Sequence, residues 1–347
     1  MNTNENLKFA KRNKNDEFYT QYCDIEAEIK HYRKCFRGKV IYCNCDNPKY
    51  SQFYRYFKNN FNRFGLKKLI VTYHKKGSKV YKIEMYPGVT LKKQMKGDGD
   101  FRNEECIELL RKCDIVVTNP PFSLFREYMA LLIEHEKKFL IIGSMNAITY
   151  KEFFPLIKDG FVWPGFSFNK TMVFAMPESY KAKTNERDDM GRKLGKVPGI
   201  CWFTNLDISK RHESLDLRGV YYKGNEDKYP HYDNYDAIEV SRVQDIPCDY
   251  DGVMGVPITF LDKHCPEQFE ILGICSGRYE FDPSAWPVKR YTNAVQHNFD
   301  GSISYGGQVN RGPCILCNKT KYPHYTADNA KGCLRVVYAR ILIRKKL

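Results

Sequence analysis

Short apolar runs rich in Val, Ile and Leu alternate with helical patterns across roughly the first 150 residues of the chain. The runs are interpreted as buried strands, because they are short and are bounded by polar and turn-forming residues. Strands are predicted at 39–43, 68–73, 80–85, 114–118 and 139–143, and helices at 24–36, 51–64, 103–111 and 124–135. Strands that alternate with helices favour a mostly parallel sheet of the doubly wound α/β class.

The character of the sequence changes after residue 180. Residues 181–199 are densely charged and have no apolar period, which is typical of a loop or linker. Short β-type runs follow, separated by Tyr, Gly, Pro and Asn, and they include 199–203, 219–222, 258–260 and 334–343. We therefore expect a first domain over 1–180, a linker over 181–199 and a β-rich or irregular module over 200–347.

Charge and hydropathy narrow the class of protein. The 347 residues are 42% hydrophobic and 28% charged, which is typical of a globular chain. The net charge of +15 favours a polyanionic partner, since Lys and Arg displace counterions from phosphates. The N-terminal residues do not resemble a signal peptide, and no apolar run approaches the ~20 residues of a membrane span. We expect a cytoplasmic protein without a membrane partner and with reduced thiols.

The cysteines give no clear metal-binding pattern. Among the 13 cysteines, Cys314 and Cys317 form a CxxC pair, and Cys333 follows further on. No second pair follows at the spacing of a zinc finger. These thiols are interpreted as buried or incidental, and no metal is predicted.

The predicted strand at 114–118 leads directly into Asn119, Pro120, Pro121 and Phe122. The carboxyl end of a strand in an open α/β sheet is where ligands bind. An exocyclic amino group of a base is a poor nucleophile, and positive charge develops on its nitrogen during attack on a sulfonium methyl. The side-chain oxygen of Asn119 and the backbone carbonyl of Pro120 can accept the two amino hydrogens and so stabilise that transition state.

The other residues of the loop fit the same chemistry. The two prolines hold the acceptors in place, and the ring of Phe122 can stack on a flipped base. The structural alternative is a tight Asn-Pro turn after a strand.

This loop resembles the fourth motif of the amino-methyltransferases, in which Phe rather than Tyr favours adenine over cytosine. Further segments, in the same order, resemble the EcoRI-type adenine-specific DNA methyltransferases. They lie at 16–21 (DEFYTQ), 42–48 (YCNCDNP), 99–102 (GDFR), 119–126, 202–206 (WFTNL), 235–240 (YDAIEV) and 255–262 (GVPITFLD). The resemblance covers the chain from about residue 16 to its end.

The resemblance implies a Rossmann-like methyltransferase sheet and S-adenosyl-L-methionine as the cofactor. It also implies site-specific methylation of N6 on a flipped-out adenine in double-stranded DNA, within restriction-modification. The module over 200–347 then becomes the expected DNA target-recognition region. A cognate restriction endonuclease that acts separately is a further expected partner.

Several residues are expected to bind the cofactor. Asp46 can pair with its α-ammonium group, and Asp100 can accept from its adenine amine. By themselves, both carboxylates also fit ordinary turns. The full predicted set is Phe18, Tyr19, Thr20, Cys43, Asn44, Asp46, Asp100, Phe101 and Asn119. An acidic residue that would hold the ribose is not obvious after the second strand, where residues 72–74 are Thr, Tyr and His.

On the target side, Phe168 is predicted to lie against the extruded adenine, although an aromatic residue at this position also fits a core. Other functions compete with DNA adenine methylation. The Asn-Pro-Pro-aromatic loop also serves an RNA adenine-N6, a cytosine-N4 or a protein-glutamine methyltransferase, and the positive charge disfavours the last. A catalytically inactive DNA-binding regulator is disfavoured by the intact Asn119 and Phe122.

Overall fold

The computed structural model describes residues 18–176, 186–277, 279–282, 286–306, 308–318 and 323–346. The chain divides into two compact units. The first consists of Met1–Asn146 and Val162–Ile208, and the second of Ala147–Phe161 and Ser209–Leu347. Each unit is therefore built from two separate stretches of the chain.

The described part of the first unit contains six α-helices and eleven strands. The helices are α1 (Tyr22–Ile29), α2 (Arg33–Phe36), α3 (Gln52–Asn59), α4 (Phe61–Phe64), α5 (Glu104–Lys112) and α6 (Phe125–Glu134). The strands are β1 (Tyr19–Thr20), β2 (Val40–Cys43), β3 (Lys68–Val71), β4 (Tyr81–Tyr86), β5 (Val89–Gln94), β6 (Ile115–Thr118), β7 (Lys138–Ser144), β8 (Trp163–Pro164), β9 (Met172–Met176), β10 (Lys193–Val197) and β11 (Ile200–Thr204).

Eight of these strands form one mixed sheet in the order β5-β4-β3-β2-β6-β7-β11-β8. Its central strands β3, β2, β6 and β7 are parallel to one another. The outer pairs are antiparallel, as in the β4–β5 hairpin and the pairing of β11 with β7. The α/β class expected from the sequence is therefore observed, but the parallel pairing is confined to the centre of the sheet.

The central strands are buried on both faces, which explains why they are continuous apolar runs in the sequence. All four residues of β2 and all four of β6 are buried. Helix α3 packs Phe53, Tyr56 and Phe57 into the same core. Ser51 caps the amino end of this helix, because its hydroxyl oxygen accepts a hydrogen bond from the backbone N–H of Tyr54 at 3.2 Å.

Residues at the two ends of the first unit meet in a smaller antiparallel sheet of order β1-β9-β10. Tyr19 pairs with Ala175, and Thr20 pairs with Phe174. The region expected to be a linker, residues 181–199, contains β10, which pairs with β9 in this smaller sheet. Strand β11 begins directly after that region and pairs with β7 in the large sheet. Residues 186–208 therefore lie in the first unit, because their backbone groups pair with its strands.

The described part of the second unit contains α7 (Phe154–Lys158) and nine strands in two sheets. The strands are β12 (Ile238–Glu239), β13 (Met254–Pro257), β14 (Phe269–Cys275), β15 (Val295–His297), β16 (Ile303–Tyr305), β17 (Cys314–Leu316), β18 (His324–Thr326), β19 (Leu334–Val336) and β20 (Arg340–Lys345). One sheet has the order β12-β13-β20-β14 and the other β16-β15-β18-β19-β17.

Three strand predictions in this unit need correction. Residues 258–260 lie in a 3₁₀ helix, Ile258–Asp262, which starts after Pro257. Residues 219–222 contribute only an isolated bridge between Gly219 and Pro247. The run at 334–343 is divided between β19 and β20. Short runs that all carry a β-type pattern thus adopt different structures, because their tertiary partners differ.

Two findings concern the membrane and metal predictions. No described helix has the length and apolar character that a membrane span requires. Within the described ranges, no group of three or more His, Cys, Asp or Glu side chains has an arrangement that could hold a metal ion. Cys314 is buried, whereas Cys317 and Cys333 are half-buried.

Candidate active site

A cavity of about 640 Å³ opens at the carboxyl ends of β2, β3 and β6. This volume is in the range of small-molecule binding sites. Because the three strands are parallel neighbours, the loops that follow them meet at one edge of the sheet. The predicted site residues that line the cavity are Phe18, Tyr19, Thr20, Asn44, Asp46, Asp100, Phe101, Asn119 and Pro121.

The side-chain amide of Asn119 has a fixed orientation. Its Nδ2 donates a hydrogen bond of 2.7 Å to the backbone carbonyl of Phe18. A carbonyl oxygen can only accept, so the nitrogen rather than the oxygen of the amide must face Phe18. Asn119 Oδ1 is then buried and accepts no hydrogen bond from the described residues. A buried acceptor without a donor is costly for the folded protein and marks a place for a donor from a bound molecule.

Asp46 lies at the floor of the cavity and connects three elements. Its two oxygens accept hydrogen bonds from Ser51 Oγ at 2.7 Å and from Thr118 Oγ1 at 2.6 Å. Burial raises the pKa of Asp46 to about 6, although both hydrogen bonds act in the opposite direction. Each carboxylate oxygen retains a lone pair after these bonds, so Asp46 can also bind a cationic group.

Tyr128 of α6 positions two cavity residues. Its hydroxyl donates a hydrogen bond to Asn44 Oδ1. Its ring packs edge-on against Phe101, with the ring centroids 5.0 Å apart. Asn44 and Phe101 lie on different loops, so this buried tyrosine fixes one wall of the cavity.

The turn that carries Asp100 depends on Gly99. Gly99 has a φ of +76°, and a Cβ atom there would lie 2.0 Å from the carbonyl oxygen of Tyr73. Only glycine tolerates both conditions, so this residue allows the turn to lie against the end of β3. The Asp100 carboxylate accepts hydrogen bonds from the Arg102 guanidinium at 2.7 and 2.9 Å. These bonds lower the pKa of Asp100, which keeps the carboxylate ionised.

Other predicted residues do not line the cavity. Cys43 is fully buried among the core residues, and burial raises the pKa of its thiol well above the ordinary value. Phe168 is only 1% exposed, so its ring cannot stack on a base in this structure. For both residues the structure favours the core interpretation. Pro120 is buried, and the half-buried ring of Phe122 packs on Phe18 with centroids 5.9 Å apart.

The sequence interpretation missed several cavity residues. They are Cys45, Asn47, Ser51, Gln52, Phe53, Tyr73, His74, Lys75, Lys76, Gly99, Arg102, Ser123 and Leu124. Among the missed residues, Gln52 has a buried Oε1 that accepts no hydrogen bond from the described chain. The hydroxyl oxygen of Thr20, which was predicted, is also buried without a partner in the described chain. The available signals were position, since these residues lie in or next to the segments that follow β2, β3 and β6 and before α5, and for some of them the motif segments at 42–48, 99–102 and 119–126.

A family model described as adenine-specific methyltransferase EcoRI matches residues 6–88 and 77–346 of the chain. The chain belongs to this family. The enzyme class expected from the sequence, a DNA adenine methyltransferase, is thereby confirmed. The EcoRI-type resemblance seen in the motifs is confirmed as well.

Curated relatives of this EcoRI-family methyltransferase span most of its length. It is 48% identical over 307 residues to the type II methyltransferase M.EcoRI of Escherichia coli, which covers 81% of this chain and 93% of the relative. It is 42% identical over 274 residues to the type II methyltransferase M.MgeORF184P of Mycoplasma genitalium, covering 78% of this chain and 86% of the relative. It is 42% identical over 275 residues to M.MpnI of Mycoplasma pneumoniae, with the same coverage. No solved structure matches the chain.

Proposed function

We propose that this EcoRI-family methyltransferase transfers a methyl group from S-adenosyl-L-methionine to N6 of an adenine that is extruded from duplex DNA at a specific site. The observation that carries the proposal is the buried Oδ1 of Asn119, which has no donor from the described chain and is oriented by the bond to Phe18. An adenine amino group provides the donor that this oxygen needs.

The cavity residues fit the proposed cofactor. The cavity volume of about 640 Å³ is in the range of small-molecule binding sites. The buried oxygens of Thr20 and Gln52 are available to the polar groups of the cofactor. Asp46 would pair with the α-ammonium group, and Asp100 would accept from the adenine amine with Phe101 against the ring. When bound, S-adenosyl-L-methionine supplies an electrophilic sulfonium methyl group.

Asn119 and Pro120 would stabilise the amino group as it becomes cationic. Asn119 Oδ1 and the backbone carbonyl of Pro120 would each accept one amino hydrogen, which favours the pyramidal nitrogen over the planar one. The bond from Asn119 to Phe18 holds the acceptor in place before the substrate arrives, so little reorganisation is needed. Phe122, whose ring already packs on Phe18, would contact the flipped base.

We also propose how the parts of the chain divide this work. The parallel strands β3, β2, β6 and β7 support a Rossmann-like doubly wound core for cofactor binding. The second unit, which makes up most of the region over 200–347, would contact and read the DNA sequence. A cognate restriction endonuclease that acts separately would complete a restriction-modification pair.

The proposed function is tested by incubating duplex DNA with the protein and labelled cofactor, then digesting the DNA to nucleosides. We expect the label in N6-methyladenine and, after mapping, at one short recurring sequence. Label found only in N4-methylcytosine, or only when RNA replaces DNA, would overturn the proposal. Unlabelled duplex already methylated by the protein serves as the matched control and should accept no further methyl groups.

Cofactor affinity is expected to rise with pH through about 6 and to level off above 7. Burial raises the pKa of Asp46 to about 6, whereas a bound ammonium group favours the ionised carboxylate. Below that pH, binding must first release a proton, so affinity should fall by up to about tenfold per pH unit. Calorimetry between pH 5 and 8 measures this profile. The variant Asp46→Asn should bind weakly and lose this pH dependence, and a variant with the wild-type profile would remove Asp46 from the ammonium site.

The same pKa shift has an opposite consequence for the protein without cofactor. The pKa of Asp46 is higher in the folded protein than the value of 3.8 for an unperturbed carboxyl. Its contribution to stability is therefore fully present below pH 3.8 and is lost as the pH rises through about 6.

A further inference from the structure

The positive charge of the chain is concentrated in one segment of the first unit. Residues 47–83 contain ten Lys and Arg residues and no Asp or Glu. Extended to residue 97, the segment has thirteen Lys and Arg residues and a single acid, Glu84, so its net charge is +12. The whole chain carries +15. Most of the excess charge therefore comes from the loops and elements between β2 and α5.

Part of this charge lines two hollows that adjoin the candidate active site. One hollow, of about 600 Å³, is lined by Lys49, Tyr50, Lys75 and Lys92 among others. The other, of about 330 Å³, is lined by Lys49, Tyr50, Arg55 and Lys58 among others. We call Lys49, Tyr50, Arg55, Lys58, Lys75 and Lys92 the lysine–tyrosine surface. The hollows share Lys49 and Tyr50, so the surface is continuous.

The lysine–tyrosine surface reaches the mouth of the 640 Å³ cavity. The larger hollow and the cavity share five lining residues, namely Tyr19, Asn47, Tyr73, His74 and Lys75. All of them belong to the first unit. A chain that enters the cavity through this mouth therefore passes next to the basic side chains.

The cations of this surface have no acidic partner among the described residues. Lys49, Arg55, Lys58, Lys75 and Lys92 are exposed, and none forms an ion pair with an acidic residue of the described chain. Their neighbours in sequence behave differently. Glu84 binds Lys68 at 2.5 Å and Lys93 at 3.0 Å, and Glu105 binds Lys82 at 2.9 Å. The segment thus contains both structural lysines and lysines without an acidic partner.

Aromatic rings lie among the exposed cations. The Lys49 ammonium is 5.0 Å from the ring centroid of Tyr50, and the Lys92 ammonium is 4.5 Å from that of Tyr81. Basic side chains interleaved with aromatic rings are typical of surfaces that follow a nucleic-acid backbone.

A purely structural explanation covers only part of the pattern. Lysines on an exposed edge strand discourage pairing with another sheet, which accounts for Lys92 on the edge strand β5. Lys49 lies in the loop before α3, and Arg55 and Lys58 lie on the exposed side of that helix. None of these three residues is at a sheet edge, so that argument does not explain them.

We propose that the lysine–tyrosine surface binds the phosphodiester backbone of the DNA strand next to the target adenine. This inference rests on the proposed function. A base that enters the cavity remains covalently joined to the phosphates on both of its sides, so a stretch of backbone must cross the mouth. Phosphate contacts there are independent of sequence, position the DNA and help to offset the cost of extruding the base.

The test compares paired charge-neutralising variants. The surface pairs are Lys49→Gln with Lys92→Gln, and Arg55→Gln with Lys58→Gln. The matched control is Arg63→Gln with Lys67→Gln, which removes two exposed charges of the same segment. These two residues lie just before the amino end of β3, whereas the cavity lies at the carboxyl end of that strand. Duplex DNA affinity is measured for each protein over a salt series, together with cofactor affinity and melting temperature.

Each surface pair is expected to weaken DNA binding at low salt by about tenfold or more and to reduce the slope of log K against log salt by about two. The control pair should bind DNA nearly as wild type does. Melting temperature and cofactor affinity should not change, because all these side chains are exposed and lie outside the 640 Å³ cavity.

Different results would contradict the proposed methylation of duplex DNA and the proposed role of the lysine–tyrosine surface. Wild-type protein that methylates duplex DNA, with surface pairs indistinguishable from the control pair, would overturn the inference and leave the proposed function intact. Wild-type protein that methylates RNA but not duplex DNA would overturn the proposed function. Surface pairs that lose affinity only for RNA would also overturn the assignment of this surface to DNA.

Discussion

Replacement of Asn119 by alanine is expected to lower the rate of methyl transfer by about 100-fold or more while cofactor affinity stays near the wild-type value. The amide oxygen is proposed to act on charge that develops only in the transition state, so its loss should affect the chemical step. Single-turnover rates measured with saturating DNA and cofactor isolate this step. Calorimetry with cofactor alone shows whether the cavity is preserved.

Two further variants sharpen this test. Asn119→Asp keeps the size of the side chain but places an acceptor opposite the Phe18 carbonyl, so the bond at 2.7 Å is lost and a similarly large decrease is expected. Ser123→Ala is the matched control, because Ser123 is exposed and lines the same cavity only four residues away. An Asn119→Ala rate within a few-fold of the Ser123→Ala rate would refute the catalytic assignment.

Replacement of Glu28 by alanine is expected to reduce the free energy of unfolding of the first unit by about 3 kcal/mol or more. The Glu28 carboxylate is fully buried and accepts hydrogen bonds from the backbone N–H groups of Phe166 at 2.6 Å and Ser167 at 2.8 Å. It also accepts one from the Tyr32 hydroxyl at 2.8 Å. Alanine would leave the Ser167 N–H and the Tyr32 hydroxyl without this acceptor, and the Phe166 N–H would keep only its longer contact with the Tyr32 oxygen at 3.2 Å. Each donor that is buried without a partner costs about 1–3 kcal/mol.

Urea unfolding followed by tryptophan fluorescence measures this loss, since Trp202 is fully buried in the same unit. Glu26→Ala is the matched control, because Glu26 is exposed on the same helix, α1. The control should remain close to wild type. An unfolding midpoint for Glu28→Ala equal to that of the control would show that the carboxylate does not hold the loop at Phe166.

The sequence predicted the centre of the fold and the position of the reactive loop. Apolar runs of the right length gave β2, β3, β6 and β7, because strands buried on both faces have little freedom in composition. Asn119 was assigned its place because the loop directly follows such a strand. These features depend on local sequence, and this explains why they could be found without a structure.

Features that depend on distant pairing could not be predicted in the same way. The addition of β11 to the large sheet joins residues about 60 positions apart, and no local pattern indicates an antiparallel partner. The partners of Asp46 come from two separate segments, at Ser51 and Thr118. Phe168 was assigned to the target base from the family resemblance and its aromatic type, whereas its burial depends on tertiary packing that local sequence does not specify.

The bond between Phe18 and Asn119 has a consequence for the order of events during synthesis. The Phe18 carbonyl is made about 100 residues before the amide that it orients, and the strand that secures the next two residues, β9, is made about 50 residues later still. A nascent chain that stops before Met172 would contain the whole Asn119–Phe122 loop but lack the strand that holds its orienting partner. Methyl transfer should therefore begin only after β9 has emerged from the ribosome, which couples the onset of activity to synthesis of the second stretch of the first unit.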